Sequence, residues 1–323
     1  MAIKKLDEFF EKISSKTAIV VGDIMLDTYL IGDSSRKSPE APVNIVNVEK
    51  KENKIGGAGN VACNLKSLGF KTFLFGFIGN DENGKTINSI LKKYKIPISG
   101  LIKTSCKTTN KVRIINTETK KQLLRIDQEE INYKQSDEKN TLFELIKNKI
   151  HLADFIIIQD YNKGLLDKDL IKNILLLASK HNVSVMVDPK ELNLLEYKNV
   201  KLFKPNLLEA EKLLSKKIIL ENKFLIKDLE KIKQKINCEY VLITLGKDGL
   251  CIYGDNLFYR EKGINNEIVD VTGAGDSVIC LAALGFCAKL EIPEIAKLAN
   301  YSGYISCQNS GTYSIKHEDI KKL

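Results

Sequence analysis

The chain has 323 residues, 43% hydrophobic and 28% charged, a balance that excludes a disordered or collagen-like chain. Its net charge is +9, but it has only four Arg and its Lys pairs are scattered, so we expect no nucleic-acid partner. The longest apolar stretch, Val278 to Leu290, is too short to span a bilayer, and acidic residues interrupt the N-terminal segment. We therefore expect a cytoplasmic protein with no membrane partner.

Seven cysteines are spread along the chain, and none forms a Cys-x-x-Cys pair or lies near a histidine. This spacing is not that of a zinc site. Most of these thiols fall in apolar stretches, so we predict that they are buried and reduced.

Short apolar runs alternate with helix-period segments, which is typical of βα units around a mostly parallel sheet. Predicted strands cover residues 18–21, 72–78, 155–158, 183–187, 202–203 and 240–245. Predicted helices cover residues 57–68, 84–94, 167–181, 207–214, 227–236, 274–289 and 293–309. The pattern predicts an α/β fold with helices on both faces of a central sheet.

Two regions, 42–49 and 111–127, break this alternation with short, half-polar strands that have no crossover helix. Such strands usually pair antiparallel, so we predict a small separate β-sheet, formed near 30–50 and 111–127, as a lid over a cleft. A hairpin with no special role is the alternative. A further hairpin is predicted around Tyr253 and Tyr259, and no linker divides the chain, so one domain over 1–323 is expected.

The segment 270–276 reads Asp-Val-Thr-Gly-Ala-Gly-Asp and leads into an apolar helix. Gly273 and Gly275 remove side chains at the helix start, so backbone N–H groups can approach an anion at the positive end of the helix dipole. Asp276, in the first turn, is placed to accept a proton from an attacking hydroxyl. Simple helix capping by the same carboxylate is the alternative.

A second glycine-rich helix entry, Gly-Gly-Ala-Gly-Asn-Val-Ala, covers residues 56–62. Gly56 and Gly57 permit close approach of a ligand, and Asn60 can hydrogen-bond a hydroxyl. The segment lacks the Gly-x-Gly-x-x-Gly pattern, which counts against an NAD-dependent oxidoreductase, and the chain has no P-loop.

Taken in order, residues 56–62, 204–209 (Lys-Pro-Asn-Leu-Leu-Glu) and 270–276 resemble the motifs of the ribokinase-like (PfkB-type) carbohydrate kinases over nearly the whole chain. Four further runs resemble the kinase half of the bacterial heptose 7-phosphate kinase/heptose 1-phosphate adenylyltransferase subfamily. They are residues 21–27, the run Ser-Pro-Glu-Ala-Pro-Val at 38–43, residues 124–127 and residues 187–190.

This resemblance implies transfer of the γ-phosphoryl group of ATP to the anomeric C1 hydroxyl of D-glycero-D-manno-heptose 7-phosphate. The product would be the 1,7-bisphosphate, for lipopolysaccharide core synthesis. A kinase for another sugar or nucleoside and a non-catalytic sugar-binding regulator of the same fold stay open as alternatives. The chain has no His-x-Gly-His nucleotide signature, so no nucleotidyltransferase domain is expected in it.

The resemblance also implies roles for single residues near ATP. Asp276 is the expected base, and the amides of Gly273, Ala274 and Gly275 are the expected anion hole. Nucleotide binding is expected at Asn206, Leu207, Leu208, Glu209, Thr244 and Gly246. Glu209 would act on Mg²⁺ indirectly, and Asp270 and Thr272 would hold a monovalent cation such as K⁺.

On the acceptor side, sugar hydroxyls are expected to meet Asp23, Asp27, Gly56, Gly57 and Asn60. Arg125 in the lid and Lys190 are the expected cations for a sugar phosphate, and Asp160 is a weaker candidate at a strand end. Turn residues or surface charges are the alternative for these acidic and basic groups. The apolar lid strands would be exposed in a monomer, so we expect a homodimer through the lid.

Overall fold

The computed structural model describes residues 6–130, 136–264 and 268–323. Its strands are β1 Thr17–Gly22, β2 Ile24–Asp33, β3 Asn47–Gly57, β4 Lys71–Gly79, β5 Leu101–Thr104, β6 Asn110–Asn116, β7 Gln122–Gln128, β8 Phe155–Gln159, β9 Ser184–Asp188, β10 Leu202–Phe203, β11 Tyr240–Thr244, β12 Leu250–Gly254 and β13 Leu257–Glu261. Its helices are α1 Leu6–Ser14, α2 Ala58–Ser67, α3 Glu82–Lys93, α4 Ser136–Lys147, α5 Lys168–Lys180, α6 Leu207–Leu214, α7 Asn222–Ile236, α8 Ala274–Cys287, α9 Ile292–Cys307 and α10 His317–Ile320.

Within these residues, a large sheet has the strand order β13-β12-β11-β10-β9-β8-β1-β4-β5 and is parallel except at β12 and β13. Successive side chains of a strand point to opposite faces of the sheet, so the side chains of β1 divide between two buried clusters. Ala18 and Val20 pack in one buried cluster with residues of α2, α8 and α9. Ile19 and Val21 pack in a second cluster with residues of α5 and α7. The predicted α/β fold, with helices on both faces of a mostly parallel sheet, is confirmed.

The predicted β-hairpin around Tyr253 and Tyr259 is the antiparallel pair β12–β13. Three helices, α1, α4 and α10, and strands β2 and β5 were not predicted. The alternative interpretation of Asp27 as a turn residue is wrong, because Asp27 lies inside the ten-residue strand β2. Two Asp in one strand disfavour a strand prediction, but Asp27 is buried against a cationic partner described below.

The predicted small sheet exists in the order β3-β2-β6-β7. The pairs β2–β3 and β6–β7 are antiparallel, but the central pair β2–β6 is parallel. The prediction of purely antiparallel pairing is therefore wrong for this pair, since the chain makes a long crossover through α2, β4, α3 and β5 before β6. The first lid strand was predicted over 42–49, but it begins at Asn47.

The carboxyl ends of β1, β8 and β9 meet at one edge of the large sheet, where Gly22 pairs with Gln159 and Gln159 pairs with Asp188. A Cβ atom at Gly22 would lie 2.0 Å from the Gln159 carbonyl oxygen, so only glycine fits there. Ligands of open α/β sheets bind beyond this edge. None of the helices in the described ranges is both long and apolar enough to cross a membrane.

Candidate active site

Asp276 lies in the first turn of α8, just after Gly273, whose positive φ of 79° makes the turn into the helix. Its carboxylate is 1% exposed and accepts three side-chain hydrogen bonds. Asn60 donates through Nδ2 to Oδ2 (2.8 Å). Gln159 Nε2 (3.0 Å) and Tyr161 Oη (2.8 Å) donate to Oδ1. The structure thus brings the two glycine-rich helix entries together at one carboxylate.

Burial raises the pKa of Asp276 to about 7, while the hydrogen bonds from Asn60 and Tyr161 act in the opposite direction. A carboxyl group that titrates near neutral pH exchanges its proton readily under working conditions. Asp276 can therefore accept and release a proton near neutral pH.

A buried polar chain continues from Asp276 to a lysine. Gln159 also donates to Asp188 Oδ2 (2.8 Å), and Asp188 Oδ1 pairs with Lys204 Nζ at 2.9 Å. A Cβ atom at Gly275 would lie 3.6 Å from that ammonium group. A buried cation therefore faces the start of α8, where the first N–H groups of a helix have no intrahelical partner.

The segment 206–209 begins α6 with a capping box: Glu209 N–H donates to Asn206 Oδ1 (2.9 Å), and Asn206 N–H donates to Glu209 Oε2 (2.8 Å). Glu209 Oε1 accepts a hydrogen bond from Lys190 Nζ at 2.6 Å. Lys190, predicted to bind the sugar phosphate, thus lies on the same side of the cleft as Asn206 and Glu209.

Two adjoining cavities lie next to the start of α8. A polar cavity of about 600 Å³ includes Asp188, Lys190, Lys204, Leu207, Leu208 and Glu209 in its wall. A more apolar cavity of about 240 Å³ includes Leu250, Ile264, Val271, Val278 and Tyr304. Thr244, Gly246, Val271 and Gly275 belong to both. This cleft has the size and chemistry for a nucleotide, with phosphates in the polar part and a base in the apolar part.

The glycine pair 56–57 lies at the junction of β3 and α2, against β2. A Cβ atom at Gly56 would lie 2.4 Å from Asp27 Oδ2, and one at Gly57 would lie 2.3 Å from the Asp23 carbonyl oxygen. Gly57 also has a positive φ of 58°. The two glycines therefore let the small sheet approach the edge of the large sheet closely. Asp27 lies beside this junction in β2, and Asn60 follows it in α2.

Asp27 forms a buried ion pair with Arg113 of β6, whose Nη1 lies 2.5 Å from Asp27 Oδ1. The two side chains are 3% and 9% exposed. Burial raises the pKa of Asp27, and the positive charge of Arg113 opposes that rise. Sequence reasoning missed Arg113, because a single Arg in a half-polar strand carries no distinguishing pattern.

Asp23 and Asp160 hold the loop that presents Tyr161. Asp23 Oδ2 accepts hydrogen bonds from the N–H groups of Tyr161 (2.8 Å) and Lys163 (3.1 Å). Asp160 accepts hydrogen bonds from the Asn162 N–H (2.8 Å) and from the side chains of Asn193 (2.9 Å) and Tyr197 (2.6 Å). Both carboxylates are buried, so we interpret them as positioning residues for this loop.

Arg125 lies on the exposed edge strand β7, in register with Arg113, and pairs with its neighbour Asp127 (Nε to Oδ1, 2.9 Å). Paired residues of adjacent strands share a face of the sheet. The Arg125 side chain is thus on the Asp27 face of the small sheet, but it remains half exposed.

Asp270 and Thr272 form a tight turn before Gly273. Asp270 Oδ1 accepts hydrogen bonds from the Thr272 N–H (2.9 Å) and Oγ1 (2.7 Å), and Oδ2 accepts one from the Gly311 N–H (2.9 Å). This carboxylate therefore joins the turn 270–273 to the loop that follows α9.

The model of the pfkB family carbohydrate kinases matches residues 15–319. The chain belongs to the PfkB family of carbohydrate kinases. The predicted family and enzyme class, a ribokinase-like sugar kinase, are confirmed by this match.

Among curated relatives, this PfkB kinase is 36% identical over 307 residues to the bifunctional protein HldE of Helicobacter pylori strain G27, across 94% of this chain and 65% of that protein. It is 35% identical over 306 residues to the bifunctional protein HldE of Sulfurimonas denitrificans, across 94% of this chain and 63% of that protein. The chain thus spans less than two thirds of the length of these relatives.

Solved structures agree with the fold. Phosphofructokinase-2 from Escherichia coli, in complex with substrates and products, superposes with a TM-score of 0.82 at 19% identity, over 95% of this chain and 98% of that one. Arabidopsis thaliana ribokinase, complexed with ribose and ATP, superposes with a TM-score of 0.73 at 16% identity, over 95% of this chain and 98% of that one.

We predict that Arg113→Met destabilises the protein by about 3–5 kcal/mol, because the Asp27 carboxylate would stay buried without its partner. Protonation of the Asp27 carboxylate removes the cost of burying its charge. The loss in the free energy of unfolding should therefore be larger at pH 8 than at pH 5.5. Urea unfolding at both pH values measures it. The double variant with Asp27→Asn is the control, and an equal loss in both variants would contradict this role of the ion pair.

Proposed function

We propose that this chain transfers the γ-phosphoryl group of ATP to the anomeric C1 hydroxyl of D-glycero-D-manno-heptose 7-phosphate. The observation that carries the proposal is the convergence of Asn60, Gln159 and Tyr161 on the buried carboxylate of Asp276, at the start of a helix that faces the nucleotide-sized cleft.

Asp276 acts as the base in this proposal. A carboxylate offers about four lone-pair sites, and Asp276 uses three of them, which leaves one for the acceptor hydroxyl. The hydroxyl gives its proton to Asp276 as its oxygen bonds to the γ-phosphorus, and the bond from that phosphorus to the β-phosphate oxygen breaks to release ADP. The N–H groups of Gly273 and Gly275 and the Lys204 ammonium stabilise the charge that develops on the transferred group. The Ala274 N–H joins them once it releases the Val271 carbonyl, to which it donates at 3.3 Å.

ATP occupies the joined cavities, with its base against the apolar wall and its phosphates toward Lys190 and Lys204. No cluster of three metal-binding side chains occurs within the described ranges, so a fully protein-coordinated metal does not fit. Mg²⁺ carried by ATP phosphates does fit, since it needs only one or two carboxylates through water, and Glu209 and Asp188 line the polar cavity. The ion would neutralise phosphate charge.

The acceptor is proposed from two further observations. The motif runs described above, Ser38 to Val43 in particular, resemble the heptose 7-phosphate kinases, and the bifunctional HldE proteins are similar over 94% of this chain. The face of the small sheet that carries Asp27 also carries Lys111, Arg113 and Arg125. Cations on this face are the side chains that suit the phosphate of a phosphorylated sugar.

An acceptor screen tests the proposal directly. D-glycero-D-manno-heptose 7-phosphate, the free heptose, fructose 6-phosphate and ribose are each offered with MgATP, and ³¹P NMR locates the new phosphate. We expect phosphorylation at C1 of the heptose 7-phosphate and a kcat/KM at least about a hundredfold higher than with the others. A higher kcat/KM with another acceptor would assign the chain to a different sugar kinase.

The base assignment predicts that Asp276→Asn lowers kcat by roughly 10²–10⁴-fold, because the amide cannot take the hydroxyl proton. Isothermal titration with a non-hydrolysable ATP analogue is the control for an intact cleft. In the native enzyme, only the deprotonated carboxyl group is active. Because the pKa of Asp276 is about 7, kcat/KM should fall about tenfold per pH unit below pH 7 and level off above it. A flat profile between pH 5.5 and 8.5 would reject Asp276 as the base.

We also propose that the protein is a homodimer formed through the small sheet. Leu124 and Ile126 of the edge strand β7 are 54% and 45% exposed, and Val48 of the opposite edge strand β3 is 48% exposed. Leu124 and Ile126 pair with Ile114 and Val112, so they lie on the face opposite Arg113 and Arg125. An apolar edge strand of this kind is normally covered, and a second copy covers it symmetrically.

Sedimentation velocity should therefore give about twice the chain mass of 36.3 kDa. The double substitution Leu124→Glu and Ile126→Glu should give the monomer, because it introduces charges into the covered patch. Leu176→Glu, on an exposed position of α5, is the matched control and should stay dimeric. A native protein that sediments as a monomer would refute this proposal.

A further inference from the structure

The resemblance to ribokinase-like enzymes implies a monovalent cation at Asp270 and Thr272, but the residues present do not fit one. Both oxygens of Asp270 already accept hydrogen bonds from donors, namely Thr272 and the Gly311 N–H. The adjacent carbonyl of Ser310 accepts a hydrogen bond from the Lys54 ammonium group. A metal ion needs several oxygen lone pairs at once, and donors already occupy three of the about four that Asp270 offers and one on the Ser310 carbonyl.

Lys54 reaches this place from the small sheet. It lies on β3, opposite Asp27 of β2, and its side chain crosses to the loop after α9. The next residue, Ile55, accepts a hydrogen bond from Thr312 Oγ1 (3.0 Å), so strand and loop are joined at two consecutive residues. Burial lowers the pKa of Lys54, while the negative charges of Glu52, Asp270 and Asp27 oppose that effect and favour the ammonium form.

Negative charge accumulates where Lys54 ends. The C-terminus of α9 carries the negative end of its helix dipole, and the carboxylate of Asp270 is next to it. The carbonyl of Cys307, the last residue of α9, accepts hydrogen bonds from the N–H groups of Val269 (2.8 Å) and Asp270 (3.2 Å). A cation is favourable at such a point, and Lys54 supplies one from the chain itself.

The Tyr29 hydroxyl is the one feature of this place that suits an added cation. Tyr29 is buried, its hydroxyl oxygen has no hydrogen-bond partner within the described residues, and it lies against Gly311, where a Cβ atom would be 2.7 Å away. The Lys54 ammonium already lies 5.8 Å from the centre of the Tyr29 ring. Lys54 would repel a second positive charge here. This repulsion outweighs the attraction that the Tyr29 hydroxyl alone offers to a cation.

We propose that the Lys54 ammonium group is a built-in cation that takes the place of K⁺ and holds the turn 270–273 in position. Lys54 is linked to the proposed anion hole through three consecutive residues, 310–312. Ser310 and Gly311 bind Lys54 and Asp270, and Thr312 lies 3.2 Å from where a Cβ atom of Gly273 would be. Gly273 is the first residue of the proposed anion hole, so Lys54 is a positioning residue for phosphoryl transfer.

The test compares K⁺ with tetramethylammonium at equal ionic strength, using Tris salts of ATP. The native enzyme should have the same kcat in both salts, within about twofold. In tetramethylammonium, the kcat of Lys54→Met should be roughly tenfold or more below that of the native enzyme. This is the range expected when a charged hydrogen bond is lost. K⁺ should restore most of that loss, because the vacated carbonyl and Tyr29 hydroxyl can then bind it. Lys51→Met, on an exposed neighbour in β3, should behave like the native enzyme in both salts.

Several-fold stimulation of the native enzyme by K⁺ would overturn the proposal. So would a Lys54→Met variant that loses activity without recovery in K⁺, particularly if its KM for the sugar phosphate rises, because that result makes Lys54 a substrate ligand. Native kcat needs no variant, so the proposal stays open to refutation even if Lys54→Met fails to fold.

The role of Lys54 rests on the proposed function only where kcat is measured, because that measurement needs a sugar that the enzyme phosphorylates. Melting temperatures give a second measurement that needs no turnover: K⁺ should raise the melting temperature of Lys54→Met but not that of the native protein or of Lys51→Met. If no sugar is phosphorylated but this pattern holds, the proposed function fails while the role of Lys54 stands. If K⁺ stabilises the native protein equally, the role of Lys54 is refuted.

Discussion

The site depends on one buried carboxylate and its three donors. Asn60 comes from the helix that follows the small sheet, Gln159 ends a central strand, and Tyr161 lies on the next loop. A buried charge is costly unless hydrogen bonds satisfy it, so these separate parts of the chain must all be in place before Asp276 can be ionised. The fold and the protonation state of the proposed base are thereby linked.

Pairs of opposite charges lie in the wall of the cleft and in the small sheet beside it. Lys190 pairs with Glu209, Lys204 with Asp188, and Arg113 with Asp27. Each basic group that suits a phosphate is thus balanced by an acidic group until a substrate arrives. Triphosphates and sugar phosphates carry enough charge to compete for these cations, whereas a neutral sugar does not. Under the proposed function, this pairing favours phosphorylated ligands at both ends of the site.

Most of the large sheet and most of its covering helices could be predicted from sequence, because buried parallel strands are nearly continuous apolar runs. The segment 202–203 is only two residues long, yet its apolar pair was correctly predicted as a strand. The glycine-rich helix entries at 56–62 and 270–276 were equally visible, because glycines at a helix start indicate that another group approaches the backbone closely.

What sequence reasoning missed depends on contacts between distant residues. Strand β2 was missed because Asp27 is tolerated there only through Arg113, which is 86 residues away. Lys54 and Lys204 look like any other lysine in a lysine-rich chain, and only the folded structure shows that one meets a helix C-terminus and the other a buried carboxylate. The parallel pairing of β2 with β6 likewise follows from the crossover and not from local pattern.

The junction between β3 and α2 contains no loop, since Gly57 ends the strand and Ala58 begins the helix. The small sheet is joined to the large one just as closely between β1 and β2, where only Asp23 separates Gly22 from Ile24. Both junctions lie next to the buried carboxylate of Asp276, because Asn60 comes three residues after Gly57 and Asp23 binds the N–H group of Tyr161. Two of the three donors to Asp276 are thus fixed at the points where the two sheets meet.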